Sequence, residues 1–181
     1  MTQAQADRPS PAVFLDRDGT IMRDVNYCSD PDAIELFDGV IEALRKLKKA
    51  GFKLFVITNQ SGIGRGYITE KEYQAVESEL NRKLGVELID ATYFCPDKPD
   101  SDSRRRKPAP EMVLEAARDH NLNLKRSFFV GDKAIDIDCG RNAGVRTVLV
   151  RTGYGHSEKS APDWTAESLT DAAEVILNQT Q

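Results

Sequence analysis

Short, largely apolar runs recur along this chain, and a stretch of helical periodicity follows each one. Residues 12–15, 53–57, 89–95, 127–130 and 145–150 read as strands. Between and after them come helical patterns. Residues 40–49 set Val40, Ile41, Ala43, Leu44 and Leu47 on one face and stop at Gly51. Residues 69–84 open with Thr69 and Glu72 spaced as a capping box. Residues 110–120 begin on a proline, residues 134–142 stop at Gly144, and residues 169–177 close the chain. A strand with one wet face alternates apolar and polar side chains, whereas one that is apolar at successive positions is buried on both faces. Strands of the second kind alternating with helices predict a parallel sheet covered on both sides.

In such sheets ligands bind beyond the carboxyl ends of the strands. The first strand runs into Asp16 and Asp18, with Gly19 and Thr20 next. The second ends in Thr58, Asn59, Gln60 and Ser61, and the fourth in Gly131, Asp132, Lys133 and Asp136. All of these fall on one edge of the sheet. Two carboxylates at a strand tip are costly to bury without a counter-charge. If the first and fourth strands are neighbours, Asp16, Asp18 and Asp132 meet, and magnesium takes such oxygen ligands. An aspartate can also attack phosphorus, and a second acid two residues on can move the proton. Thr58, Asn59, Gln60 and Lys107 supply the donors and the cation that a transferring phosphoryl group needs.

With 181 residues the chain suits one domain with a full core, and 30% charged residues are ordinary for a soluble protein. A net charge of −4 argues against nucleic acid as a partner. No apolar run reaches the roughly 18 residues of a membrane span. Residues 1–10 are polar and read as a flexible arm ahead of a single domain over residues 11–181. Cys28, Cys95 and Cys139 form no CxxC pair, which fits a reducing cytoplasm. His120 and His156 have no base-like context and read as surface residues. A monomer is expected.

The ordered motifs Asp16-Arg17-Asp18-Gly19-Thr20, Ile57-Thr58-Asn59-Gln60, Arg106-Lys107-Pro108 and Gly131-Asp132-Lys133 with Asp136 resemble the four motifs of the haloacid dehalogenase (HAD) superfamily. The strings FLDRDGT, TNQSGIGRG, RKP and VGDK are similar to its histidinol-phosphatase and heptose-bisphosphate phosphatase branch. The resemblance implies a Rossmann-like HAD fold, helices on both faces of a parallel sheet, and no large cap domain. It implies a magnesium-dependent phosphatase acting on a small phosphorylated sugar, heptose 1,7-bisphosphate at its 7-phosphate, with histidinol phosphate or less readily a nucleic-acid 3′-phosphate as alternatives. It makes Asp16 the nucleophile and Asp18 the acid/base, with Thr58 and Lys107 holding the phosphoryl group. Asp16, Asp132 and the main-chain carbonyl of Asp18 would bind magnesium. The stretch from Asp24 to Tyr27, with Asn59, Gln60, Ser61, Arg106 and Lys133, would line the substrate pocket.

Other residues admit plainer readings. Asp136 reads equally as part of the site and as an acid at a helix N-terminus, and Arg65 equally as a second phosphate ligand and as a solvated charge. Arg104 and Arg105 read as solvated. Many members of the branch carry a zinc loop before the RKP string. Here Asp97 stands where that loop has a histidine, and Ser101, Ser103 and Arg104 stand where cysteines are expected. No structural zinc is expected from such a set.

Overall fold

The computed structural model describes residues 8–85 and 87–179. The expected arm over residues 1–10 lies mostly outside these. Its last residue, Ser10, donates its N–H to Asn121 O at 3.0 Å.

Six strands form one sheet in the order β3-β2-β1-β4-β5-β6, and every pairing is parallel. They are β1 (Ala12–Leu15), β2 (Lys53–Asn59), β3 (Ala91–Cys95), β4 (Phe128–Gly131), β5 (Arg146–Val150) and β6 (Trp164–Ala166). Among the described residues six α-helices accompany them: α1 (Val40–Lys49), α2 (Ser61–Arg65), α3 (Glu70–Leu84), α4 (Glu111–Asp119), α5 (Ala134–Ala143) and α6 (Leu169–Asn178).

The continuous apolar runs serve two cores. Val13, Leu15, Leu54, Val56, Phe128 and Val130 pack with α1, α3 and α6. Ala12, Phe14, Phe55, Ile57 and Phe129 point the other way, toward α4 and α5. Phe14 stacks between Phe55 and Phe129, with centroids 5.7 and 6.4 Å away. His120 was expected at the surface. It is instead half-buried, its ring 4.8 Å from that of Phe55.

The capping box of α3 forms as the sequence predicts, with Glu72 N–H on Thr69 Oγ and Thr69 N–H on the Glu72 carboxylate. Two short elements were not predicted. β6 is three residues long and lies on the sheet edge beside β5. α2 carries two glycines, poor helix formers, yet both are required by contact. A Cβ on Gly62 would come within 2.7 Å of the Tyr27 ring, and one on Gly64 within 2.5 Å of Pro96 O.

Between Thr20 and Val40 the chain makes only isolated bridges, Asp18 with Met22 and Met22 with Leu36, and a 3-10 turn at Pro31–Ala33. No large cap domain is inserted there. The order reverses at β1: β2 and β3 lie to one side, β4 to β6 to the other. Ligand crevices form at such switch points, so the tips of β1 and β4 mark where a site belongs.

Candidate active site

Asp16 follows β1 directly, its N–H bonded to Val130 O of β4 at 2.9 Å. Its carboxylate is buried and receives Lys107 Nζ at 2.5 Å. The same ammonium reaches Ile57 O at 2.8 Å and Asp136 Oδ1 at 2.7 Å. Two of its protons are thus hydrogen-bonded, and the Asp136 carboxylate adds an ion pair. Burial works to lower the Lys107 pKa, but Asp136 and Asp16 outweigh it and hold the ammonium charged above its usual range. Burial raises the Asp16 carboxyl, with Lys107 opposing.

Lys107 is placed from outside. The Asn59 side chain donates to Lys107 O at 3.1 Å and accepts from Lys107 N–H at 3.0 Å. Asn59 was expected to bind substrate. Both ends of its amide are committed to the backbone of Lys107, which makes it first a clamp on that lysine. Gln60 departs from expectation in the same way. Its Nε2 donates to Thr58 Oγ at 2.8 Å and to Asp18 Oδ2 at 3.0 Å, so both amide protons are spent inside the protein. Because Gln60 fills an acceptor position of Thr58, the Thr58 hydroxyl keeps its own proton for a ligand.

Asp132 follows β4 and is fully buried. Its Oδ2 accepts Tyr154 N–H at 2.8 Å, while Oδ1 has no hydrogen-bond partner. A Cβ on Gly19 (φ +92°) or Gly153 (φ +55°) would stand 2.2 Å from Asp132 Oδ2, so both glycines are needed to seat this carboxylate. Carboxylate oxygens of Asp16, Asp132 and Asp136 lie within 4.8 Å of one another. Asp136 belongs to this cluster: besides meeting Lys107, it accepts Lys133 N–H at 3.1 Å. Asp18 does not share it through its side chain, which turns to Arg17 and Gln60. Three carboxylates face one ammonium, and two buried oxygens, Asp132 Oδ1 and Asp136 Oδ1, accept no hydrogen bond. The set fits a hard divalent cation held by one or two carboxylates. Burial first, then Asp16, pushes the Asp132 carboxyl up to about 7.

A hollow of about 40 Å³ at this point is lined by Asp16, Asp18, Thr58, Lys107 and Asp136 among others. It shares Asp18, Asn59, Lys133 and Ile135 with a wider polar cleft of about 310 Å³. Asp24, Tyr27, Asn59, Gln60, Ser61, Arg106 and Lys133 all line that cleft. Arg65 does not; it is exposed in the last turn of α2. Asn26, within the stretch from Asp24 to Tyr27, lines the cleft as expected, whereas Arg17, Cys28, Ile135 and Tyr154 were not anticipated there. Tyr154 follows β5, so the carboxyl-end rule would have found it had that strand been included. Lys133 Nζ sits 4.7 Å over its ring and 3.3 Å from Asp24.

The loop before Lys107 is closed by hydrogen bonds. Ser103 Oγ donates to Asp97 Oδ2 at 2.5 Å, and the Cys95 thiol lies 3.4 Å from the same oxygen. Arg106 is tied to this knot by its N–H on Ser103 Oγ at 3.3 Å and by its guanidinium on Asp97 O at 3.1 Å. Arg104 is exposed as expected. Arg105 is partly exposed and also paired: it meets Glu115 and donates to Phe94 O.

The family described as HAD-hydrolase-like matches residues 104–172. The chain is 40% identical to the D-glycero-D-manno-heptose-1,7-bisphosphate 7-phosphatase of Thermosynechococcus vestitus, over 93% of this chain and 96% of that protein. It is 41% identical to the D-glycero-beta-D-manno-heptose-1,7-bisphosphate 7-phosphatase of Yersinia pestis, over 92% and 95%. Among solved structures, the D,D-heptose 1,7-bisphosphate phosphatase of B. bronchiseptica, complexed with magnesium and phosphate, superposes with a TM-score of 0.86 at 30% identity, covering 94% of this chain and 99% of that one. With that identity along nearly the whole length, and the fold to match, the chain belongs to the heptose-bisphosphate phosphatase family of HAD-like hydrolases.

Proposed function

We propose that this protein is a magnesium-dependent phosphatase that removes the 7-phosphate of D-glycero-D-manno-heptose 1,7-bisphosphate through an aspartyl-phosphate. The observation that carries the reading is the seat of Asp16. It is a buried carboxylate at a strand tip, 2.5 Å from a fixed ammonium, in a phosphoryl-sized hollow that opens on a sugar-sized polar cleft. The relatives' names supply the sugar.

In this reading an Asp16 oxygen attacks phosphorus and the P–O bond to the sugar breaks. Asp18 gives its proton to the departing sugar oxygen. Asp18 then takes a proton from water as that water attacks the phosphoryl group, freeing phosphate and the Asp16 carboxylate. Thr58 donates its free proton to a phosphoryl oxygen, and Lys107 stands beside the nucleophile as a fixed positive charge. Asp16, Asp132 and the Asp18 main-chain carbonyl would hold magnesium, which would supply further positive charge to a phosphoryl group in transfer. Asp24, Tyr27, Ser61, Arg106 and Lys133 face the rest of the sugar. The reading takes the enzyme as a cytoplasmic monomer, one domain from residue 11 onward, with neither nucleic acid nor membrane as partner. No helix among the described residues is long and apolar enough to cross a membrane.

Phosphate release with magnesium tests it on heptose 1,7-bisphosphate, histidinol phosphate and a 3′-phosphorylated oligonucleotide. The expected result is the highest kcat/KM on the heptose, heptose 1-phosphate as product, and no turnover by Asp16→Asn. Faster turnover of histidinol phosphate or the oligonucleotide would reassign the substrate. Activity retained by Asp16→Asn would remove the proposed chemistry.

A further inference from the structure

Arg17 stands between the two acids of the first motif, and nothing in the proposed chemistry uses it. Its side chain is only 1% exposed, which is rare for a charge without a dedicated partner. It folds back on its neighbour: Nε donates to Asp18 Oδ2 at 3.0 Å and a terminal nitrogen to Asp18 Oδ1 at 3.2 Å. Two parallel bonds from a rigid planar fork fix the plane of a carboxylate as well as its place. The guanidinium is backed by α3, with the Tyr73 ring 5.6 Å below it and Glu77 Oε2 3.8 Å from its free nitrogen. That nitrogen, Glu77 Oε2 and the Tyr73 hydroxyl are buried without hydrogen-bond partners. Such a pocket is costly unless the cation it holds has a use.

A carboxylate has about four lone-pair sites. Gln60 Nε2 fills a further one on Asp18 Oδ2 at 3.0 Å. Three sites are then occupied, and the one left open is on Oδ1. We propose that Arg17 is a positioning residue for Asp18: with Gln60 it locks the carboxyl so that only Oδ1 can carry the transferable proton, at the border of the small hollow and the wide cleft. Asp18 lines both. The inference rests on the acid/base reading of Asp18 given above.

Leaving-group dependence tests it. The ratio of kcat/KM for 4-nitrophenyl phosphate to that for phenyl phosphate is measured with magnesium for wild type, Asp18→Asn, Arg17→Lys and Glu77→Gln. The two esters differ by one para-nitro group, whose effect on binding is common to all variants, and phenolate is the poorer leaving group and depends more on a proton donor. General acid catalysis contributes about 10²–10⁴-fold, so Asp18→Asn should raise the ratio at least about tenfold. Arg17→Lys keeps the charge but loses the fork, and should raise the ratio about threefold to tenfold; Glu77→Gln should shift it the same way by less. A merely structural role lowers both rates alike and leaves the ratio unchanged. If Asp18→Asn changes the ratio while folded Arg17→Lys and Glu77→Gln do not, Arg17 positions nothing. If Asp18→Asn leaves the ratio unchanged, the acid/base reading itself is wrong. Should Arg17→Lys fail to fold by circular dichroism, Glu77→Gln alone decides.

Discussion

Asp132 and Lys107 are buried ionisable groups on which burial acts with different neighbours: an acid at Asp132, two acids of opposite charge at Lys107. Burial, reinforced by Asp16, raises the Asp132 carboxyl to about 7. A folded-state pKa above the ordinary value means that the folded protein holds the proton more tightly than the unfolded chain does. The stability this gives is complete below the ordinary carboxylate pKa and is lost as pH rises through about 7. Without magnesium, Tm should fall between pH 5 and pH 8, and Asp132→Asn should flatten that slope. Added magnesium should raise Tm more at pH 8 than at pH 5, because the cation competes with the proton. A magnesium effect equal at both pH values would count against Asp132 as a ligand. Lys107 poses the opposite case. It is 3% exposed and neutralises Asp16 and Asp136 together. Lys107→Met leaves two buried carboxylates without their cation, a change that costs about 3–5 kcal/mol. Urea unfolding should show that loss beside the loss of turnover, and a variant of wild-type stability would mean that the carboxylates take up protons instead.

At the scale of elements, what was legible depended on length and locality. Strands β1, β2 and β4 were visible because three or four successive apolar residues between turn signals leave a buried strand little alternative. β6 was not, because Trp164-Thr165-Ala166 is too short to show a period. α2 was hidden by its own glycines, whose reasons are Tyr27 and Pro96, residues far away in sequence. The site followed the same rule. The places of Asn59 and Gln60 could be read from the strand end. Their roles could not, since Asn59 answers to Lys107, 48 residues on, and Gln60 to Asp18, 42 residues back. The loop between β3 and α4 was readable as lacking zinc ligands. That Asp97 and Ser103 would close it by hydrogen bonds was not. This loop gives a prediction of its own. Asp97→Ala removes the acceptor of Ser103 and frees the turn that carries Arg106. KM for the bisphosphate should rise about tenfold, in line with the loss of one or two hydrogen bonds, while kcat changes little. A fall in kcat at constant KM would place the damage at Lys107 instead, one residue further on.

For the whole molecule, the decisive fact is that no single element owns the site. Asp16 and Asp18 come after β1, Thr58 and Gln60 from the end of β2, and Lys107 from the loop after β3. Asp132 and Asp136 follow β4, and Tyr154 follows β5. Asp16 and the buried Asp132 that faces it are brought together only because β1 pairs with β4 across the switch point. The cost of burying these carboxylates is therefore borne by the sheet, and a ligand that relieves it should stabilise the sheet as a unit. Magnesium with inorganic phosphate at about 100 times their apparent Kd should add about 2.7 kcal/mol to unfolding. The melt should shift as one transition, with amides in β1, β4 and β5 gaining the same protection from hydrogen exchange. If one half of the sheet, β2 and β3 or β5 and β6, melted or exchanged on its own while the other responded to ligand, residues 11 onward would not act as one cooperative domain. The site would then be a seam between two units rather than the edge of one.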